Sequence, residues 1–401
     1  MGVITNKKRI AEIFDRGIIK EVLPVQNDLL KKMLSGERLR IYIGFDPTSP
    51  ALHLSHAKNL MLLEEFRQLG HEAIFLVGDF TARIGDPSER SGARKRMSKA
   101  EVEKNVKAWI PQIKNLLDFN DKKNPPRLVY NSQWLSKLSL EEVIELAAYF
   151  TVQQMVKRDM FEKRIKENIP IHLNEFLYPL MQGYDSVALD TDIELCGTDQ
   201  IFNALAGRTL LGRLKNKEKF VVAVNLMENP KTGELMSKSR GTGVFLSSLP
   251  EEMYGAIMAQ PDEMIEVLLV NCTRVPLNEI KNILRTGPRQ AKAKVAFEIV
   301  KKIHDEKAAR LAQEHFEKVF SKKEIPSDLP ELVLKTRTMT ALDLVLASGV
   351  VGSKSDARRL IEQGGFDING ETKKKPQEDI LLAGGEVVRL GKRHLFRLKI
   401  R

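Results

Sequence analysis

The sequence predicts an α/β protein built on a Rossmann-like parallel sheet, followed by a helical segment and a small α+β domain. Three observations predict it. The apolar runs 41–45, 73–78 and 193–196 are rich in β-branched and aromatic residues and too short for helices, which suits strands buried on both faces. The first and third lead through a Pro- or Gly-bearing turn into helical periodicity, the order of elements at which α/β folds bind phosphates. The last 66 residues change character, with 13 Lys/Arg against 8 Asp/Glu, a local net of +5.

The length of 401 residues implies two or three domains, and a hydrophobic fraction of 42% is ordinary for a chain with a sizeable core. Lys and Arg number 64 against 53 Asp and Glu, a net charge of +11 that points to an anionic partner, nucleic acid first. Cys196 and Cys272 are the two cysteines, too far apart in context for a disulfide framework or thiolate metal site. The N-terminus lacks a secretory core, and Asn6 stands where a myristoylation motif needs Ser or Thr. No apolar run approaches the ~18 residues of a membrane span. These features indicate a cytoplasmic enzyme or RNA-binding protein with no membrane partner.

Residues 1–40 read as helices broken at Pro24. The strand at 41–45 runs into Pro47 and Pro50, which permit neither strand pairing nor helix, and from Leu52 the spacing of Leu60, Met61, Leu63 and Phe66 gives a helix that stops before Gly70. His53 and His56 share one face of its first turn, where free N–H groups and the helix dipole favour an anion. A solvated pair of histidines is the plainer alternative. The loop 79–96 is Gly-rich and basic, suited to phosphates or simply solvated. Ser98 with Glu101 and Ser139 with Glu142 are capping-box pairs, the first opening a helix that Pro111 should kink, the second a helix over 140–149.

A short strand at 128–130 ends at Asn131, a single helix is expected over 152–168, and another over 175–187. In the latter Tyr178, Gln182 and Asp185 form a polar stripe at i, i+4, i+7, which either faces solvent or lines a pocket. The turn Gly197-Thr198-Asp199-Gln200 leads into a helix over 201–211, with Asp199 placed as acidic residues of nucleotide folds are for a ribose hydroxyl. A strand at 220–224 precedes a Ser/Gly-rich basic loop carrying Lys238. Residues 250–320 are helical in pattern and 321–330 polar. In the tail, a helix capped by Ser353 carries Arg358 and Arg359, suited to nucleic-acid backbone or to solvent, and short strands follow at 387–390 and 395–398.

Gly44-Phe45-Asp46-Pro47-Thr48 leading to His53-Leu54-Ser55-His56 resembles the first signature of the class I aminoacyl-tRNA synthetases. Leu235-Met236-Ser237-Lys238-Ser239, about 180 residues later, resembles the second. Nearly the whole chain resembles the bacterial-type tyrosyl-tRNA synthetases. That resemblance implies ATP-dependent ligation of L-tyrosine to tRNA(Tyr) in two steps, through a tyrosyl-adenylate with release of pyrophosphate and without a protein nucleophile. It also implies ATP with Mg2+ as substrate, no bound organic cofactor or metal site, and a homodimer.

By the same resemblance, Tyr42 and Asp185 bind the substrate phenol, and Tyr178, Gln182 and Asp86 hold its α-amino group, with Thr81, Asn131 and Gln200 nearby. Gly44, Asp46, His53, His56, Gly197, Asp199 and Lys238 fall to ATP. Thr48, His53, His56, Lys238, Arg90 and Arg94 stabilise charge on the leaving phosphates. The implied divisions are a catalytic domain over 1–246, a helical anticodon-recognition domain over 247–320, a linker over 321–335 and a ribosomal-protein-type RNA-binding domain over 336–401. Two positions depart from the pattern: Ser55 stands where Gly is usual, and Leu235 replaces the first lysine of the second signature; Glu194 also stands where some relatives have Gln and others an acid. A non-catalytic RNA-binding paralogue, or a synthetase for another aromatic amino acid, is the alternative those departures leave.

Overall fold

A computed structural model describes residues 2–86, 97–236, 243–318, 329–334, 336–391 and 394–400. The chain divides into two compact units, Met1–Arg310 and Leu311–Arg401. The first is organised by a sheet of β1 (Ile19–Leu23), β2 (Arg40–Phe45), β3 (Glu72–Val77), β4 (Arg127–Tyr130), β5 (Ile193–Gly197) and β6 (Phe220–Val224). Their spatial order is β1-β6-β5-β2-β3-β4. β2 to β6 are parallel and β1 is antiparallel to β6. Every residue of β6, and all but the first of β3, is buried, as near-continuous apolar strands between covering layers must be.

From β2 the chain builds outward through β3 and β4, then returns on the other side of β2 as β5 and β6. The order reverses between β2 and β5, and the crevice at the carboxyl ends of such strands is where an open α/β sheet accepts ligands. Helices follow their caps. Ser98 and Glu101 bond reciprocally at the start of Lys99–Ile113, at 3.2 and 2.8 Å, and Ser139 and Glu142 do the same before Leu140–Ala148. Pro111 lies two residues from the end of its helix, where only the last turn meets it. No helix among the described residues is long and apolar enough to cross a membrane.

Four stretches differ from the sequence expectation. Residues 19–23, expected within helices, form the edge strand β1, whose single buried residue, Val22, leaves too little alternation to read. The single helix expected over 152–168 is two, Val152–Val156 and Asp159–Lys166, because the backbone at Arg158 is extended. Arg158 is buried there, its guanidinium over the rings of Phe161 and Phe202, a tertiary contact that overrides local propensity. His53 is the N-cap of Leu54–Gln68 rather than part of its first turn.

The fourth difference lies in the expected linker 321–335, which contains β7 (Glu331–Leu334). This strand belongs to the five-stranded sheet of the second unit, with β9 (Phe366–Ile368), β10 (Glu371–Thr372), β12 (Val387–Leu390) and β13 (His394–Ile400), in the order β10-β9-β12-β13-β7, while β8 (Thr338–Thr340) pairs antiparallel with β11 (Asp379–Leu381). Its buried Leu332 and Leu334 alternate with exposed residues, a pattern two apolar residues long and easily missed. Leu344, Val345, Ala357, Ile361, Phe366 and Val388 form the core, on which the helices Ala341–Ala347 and Lys354–Glu362 pack.

His71 joins the two edges of the β2–β3 crossover. Its Nδ1 accepts the Leu39 N–H at 3.3 Å, and burial, ahead of the charge of Arg38, lowers its pKa to about 4. Unfolded, the ring takes up a proton near its ordinary value of about 6.5, so the unfolded state binds more protons between the two values and stability falls as pH drops through that window. The urea midpoint should therefore decrease from pH 7 to pH 4.5. His71→Gln keeps an acceptor but nothing to titrate, and it should lose less over the same window; an equal loss would contradict the assignment.

Candidate active site

A cavity of about 270 Å³ opens at the carboxyl ends of β2 and β5. Fourteen residues singled out in the sequence line it: Tyr42, Gly44, Asp46, Thr48, His56, Thr81, Asp86, Asn131, Tyr178, Gln182, Asp185, Gly197, Asp199 and Gln200. Tyr42 on β2 stands opposite Glu194 on β5 in the parallel register. The stripe of Tyr178, Gln182 and Asp185 on the helix Leu173–Leu189 faces this cavity and not solvent.

Hydrogen bonds hold the cavity floor. Asp185, 2% exposed, accepts from Trp134 Nε1 at 2.8 Å and from Asn131 Nδ2 at 3.2 Å. Asn131 Nδ2 also meets Thr81 Oγ1 at 3.0 Å, and Asn131 Oδ1 accepts the Phe80 N–H at 2.9 Å. Thr81 Oγ1 donates to Asp46 Oδ1 at 2.6 Å, and the Tyr178 hydroxyl donates to Asp46 Oδ2 at 2.9 Å. Gly78 makes that meeting possible, since a Cβ there would lie 2.0 Å from Asp46 Oδ1. On the far side Gln200 Nε2 donates to Asp86 Oδ2 at 2.7 Å, and Asn203 Nδ2 bridges the amide oxygens of Gln182 and Gln200 at 2.9 and 2.8 Å.

Five carboxylates, Asp46, Asp86, Asp185, Glu194 and Asp199, line this one cavity of a chain whose net charge is +11. Such a floor suits an ammonium group and hydroxyl donors, not a polyanion. Burial pushes the Asp185 carboxyl well above the usual carboxylate range, with the donors Trp134 and Asn131 working against it. Burial also raises the phenols of Tyr42 and Tyr178, with Glu194 and Asp46 the next causes, so both remain protonated.

The histidines sit at the start of Leu54–Gln68. The His53 backbone N–H donates to His56 Nδ1 at 3.2 Å, so the neutral His56 ring carries its proton on Nε2. Burial lowers His53 to about 4, and burial followed by the neighbouring His53 takes His56 well below its ordinary value. Both rings are uncharged at neutral pH and can serve only as N–H donors and acceptors. His53 packs against the His56 ring, centroids 4.0 Å apart, and does not itself line the cavity.

The residues flanking the second signature are tied to this same helix start. Leu246 N–H donates to Leu52 O at 2.8 Å and Leu54 N–H to Val244 O at 3.1 Å, while Met236 N–H reaches Met227 O at 3.0 Å. Lys238 of that signature, and Arg90 and Arg94 of the basic loop, lie outside the described residues. Ser55 lines the cavity, and Leu235 is 42% exposed.

The model of the family "tRNA synthetases class I (W and Y)" matches residues 34–321, and that of the S4 domain matches residues 342–387. The tyrosine–tRNA ligase of Moorella thermoacetica is 40% identical over 399 residues, covering 97% of this chain and 95% of its own. That of Thermotoga maritima is 41% identical over 381 residues, 93% of each chain. The chain belongs to the tyrosyl-tRNA synthetase family. Among solved structures, a C-terminally truncated mitochondrial tyrosyl-tRNA synthetase from Coccidioides posadasii aligns with a TM-score of 0.63 at 25% identity, covering 77% of this chain and 91% of that one. The fold is also that of the Archaeoglobus fulgidus tyrosyl-tRNA synthetase complexed with L-tyrosine, with a TM-score of 0.59 at 20% identity over 76% of this chain and 99% of that one.

In this synthetase, sequence reasoning passed over Trp134, Ser186, Asn203 and Lys219, all of which bond to residues that line the cavity. A buried aspartate demands donors, but which side chains supply them depends on tertiary approach: Trp134 is 51 residues from Asp185 in sequence. Arg358 and Arg359 lie in the second unit, both exposed, with Arg359 paired to Asp356.

Proposed function

We propose that the floor of the cavity binds L-tyrosine and its mouth ATP, as the site at which this synthetase charges tRNA(Tyr). The reaction runs in two steps: the tyrosine carboxylate attacks the α-phosphorus of ATP, pyrophosphate leaves, and the tyrosyl group passes from the adenylate to the 3′ end of the tRNA. One observation carries the assignment of the floor, the buried Tyr42 and Asp185 that line the cavity together. A site built to bond a hydroxyl rejects the analogue lacking it, because its polar groups are then left unpaired.

Tyr178, Gln182 and Asp86 receive the α-ammonium group in this reading, supported by Thr81, Asn131 and Gln200, and the acidity of the floor favours that cation. Gly44, Asp46, Gly197 and Asp199 face the nucleoside. Thr48, His53 and His56, with Lys238, Arg90 and Arg94, meet the phosphates, whose charge Mg2+ accompanies as part of the ATP substrate. Catalysis is positioning and charge stabilisation, each donor worth about 3 kcal/mol by analogy with a lost oxyanion donor. The ranges 1–246, 247–320 and 336–401 serve catalysis, anticodon recognition and RNA binding in turn, in the cytoplasm.

A homodimer is part of the proposal. Among the described residues, eight large apolar side chains between Leu140 and Leu177 are exposed, with Leu140, Val152 and Leu173 each more than 70% accessible. So many over one short stretch mark a surface that another copy covers.

Three measurements test these assignments. ATP–pyrophosphate exchange should proceed with tyrosine and fail with tryptophan and phenylalanine, and Asp185→Asn should raise the tyrosine KM about tenfold or more while leaving the ATP KM within about twofold. Equal losses for both substrates would contradict its role. Arg358→Ala/Arg359→Ala should raise the KM for tRNA without touching exchange; an unchanged tRNA KM would remove these two residues from the interface. Sedimentation at micromolar concentration should give twice the chain mass of 45.5 kDa, and Val152→Glu/Leu173→Glu should give the monomer. A monomeric wild type would refute the dimer.

A further inference from the structure

Beneath the cavity floor lies an ion pair to which the reaction as described gives no part. Lys219, the residue before β6, and Glu194 on β5 have side chains 0% and 2% exposed, and Lys219 Nζ bonds Glu194 Oε2. Lys219 Nζ also donates to Ser186 Oγ at 2.9 Å, and Ser186 Oγ lies 3.0 Å from the Tyr42 hydroxyl. On its other oxygen, Glu194 Oε1 accepts from Gln182 Nε2 at 2.9 Å. The ammonium is thus one side chain removed from Tyr42 and from Gln182, at the two ends of the tyrosine site. The neighbouring helix Ile201–Lys215 leaves space for it: a Cβ at Gly207 would fall 2.6 Å from Lys219 Nζ and 2.6 Å from Ser186 Oγ.

A buried ion pair is weak grounds for stability, since well-packed apolar residues of similar volume often serve as well. The chemistry of the Gln182 amide offers a different reason for it. A carboxylate can only accept hydrogen bonds, so Glu194 fixes the NH2 end of that amide toward itself. Asn203 Nδ2, at 2.9 Å, holds the oxygen end, which retains a lone pair for a substrate ammonium. A neutral acid at position 194 would instead offer a proton, and the amide could then turn its oxygen down and its NH2 toward the substrate, where two donors would meet.

We propose that Lys219 is a positioning residue for tyrosine binding: its charge keeps Glu194 an acceptor, which fixes the Gln182 amide for the α-ammonium group and steadies Tyr42 through Ser186. The proposal rests on the assignment of tyrosine to this cavity. It predicts that the state of Glu194 is read out in tyrosine affinity and not in ATP affinity. The other titratable groups facing Glu194 are Tyr42 on β2, Asp185 on the helix Leu173–Leu189 and Cys196 on β5, each raised by burial. They are present in wild type and variant alike, so the difference between the two pH profiles isolates the pair.

The test is ATP–pyrophosphate exchange on the full chain between pH 6 and 9. Lys219→Met should raise the tyrosine KM about tenfold at pH 7, the loss of roughly one hydrogen bond, with the ATP KM within about twofold. That tyrosine KM should fall toward the wild-type value as pH rises, because an unpaired buried carboxyl ionises only in more alkaline solution. Lys219→Met/Glu194→Gln carries no buried charge, and its new amide can accept from Gln182 and donate to Ser186. It should return the tyrosine KM to within about threefold of wild type and abolish the added pH dependence. An unmoved tyrosine KM and pH profile in Lys219→Met would overturn the proposal, as would a double variant no better than the single one. Should Lys219→Met not fold, the double variant decides alone, and a tyrosine KM still raised tenfold at every pH overturns the proposal. Absence of tyrosine-dependent exchange in the wild type would instead remove the tyrosine assignment itself.

Discussion

The parallel pairing of β2 with β5 is the constraint on which the site depends. It sets Tyr42 opposite Glu194 and, because the strand order reverses at this pair, leaves the crevice above it open. The cavity is lined from the ends of these two strands, from the segments that follow β3 and β4 (Thr81, Asp86 and Asn131) and from helices packed beside them. Asp46 and Thr48 continue β2, Gly197 and Asp199 continue β5, and the helix Leu173–Leu189 delivers Tyr178, Gln182 and Asp185 at one-turn intervals. A shift of one residue in this register would turn Tyr42 to the other face of the sheet and leave Glu194 without its opposite number.

Polarity divides the cavity. Five carboxylates held by N–H and O–H donors line it, and on one side it meets a helix start bearing two uncharged imidazoles. As proposed, a zwitterion with a phenol at its far end takes the floor and a nucleotide the mouth. Of the departures in the two signatures, Ser55 lines the cavity and Leu235 forms an isolated bridge with Glu228.

Much of this was legible in the sequence. The buried strands announced themselves by unbroken apolar runs, the capped helices by Ser and Glu three apart, and the polar stripe by its one-turn spacing. The edge strands β1 and β7 did not, because half-exposed strands of four or five residues carry too few apolar positions to set a period. The break at Arg158 was hidden for another reason: its cause is a guanidinium seated on Phe202, more than forty residues away along the chain. Within the site, the residues that line the cavity could be anticipated, whereas those that hold them, Trp134, Ser186, Asn203 and Lys219, are recruited by tertiary approach from separate elements.

The neutral histidines have a consequence for ionic strength. Cations that grip a phosphate do so in competition with dissolved salt, and their pull weakens as the screening length shortens. An uncharged Nε2–H on His56, oriented by the backbone of His53 and sheltered by burial, offers a directional bond that salt does not attenuate in this way. A group seated at this helix start would therefore be aligned over a short range in a way that does not depend on the medium.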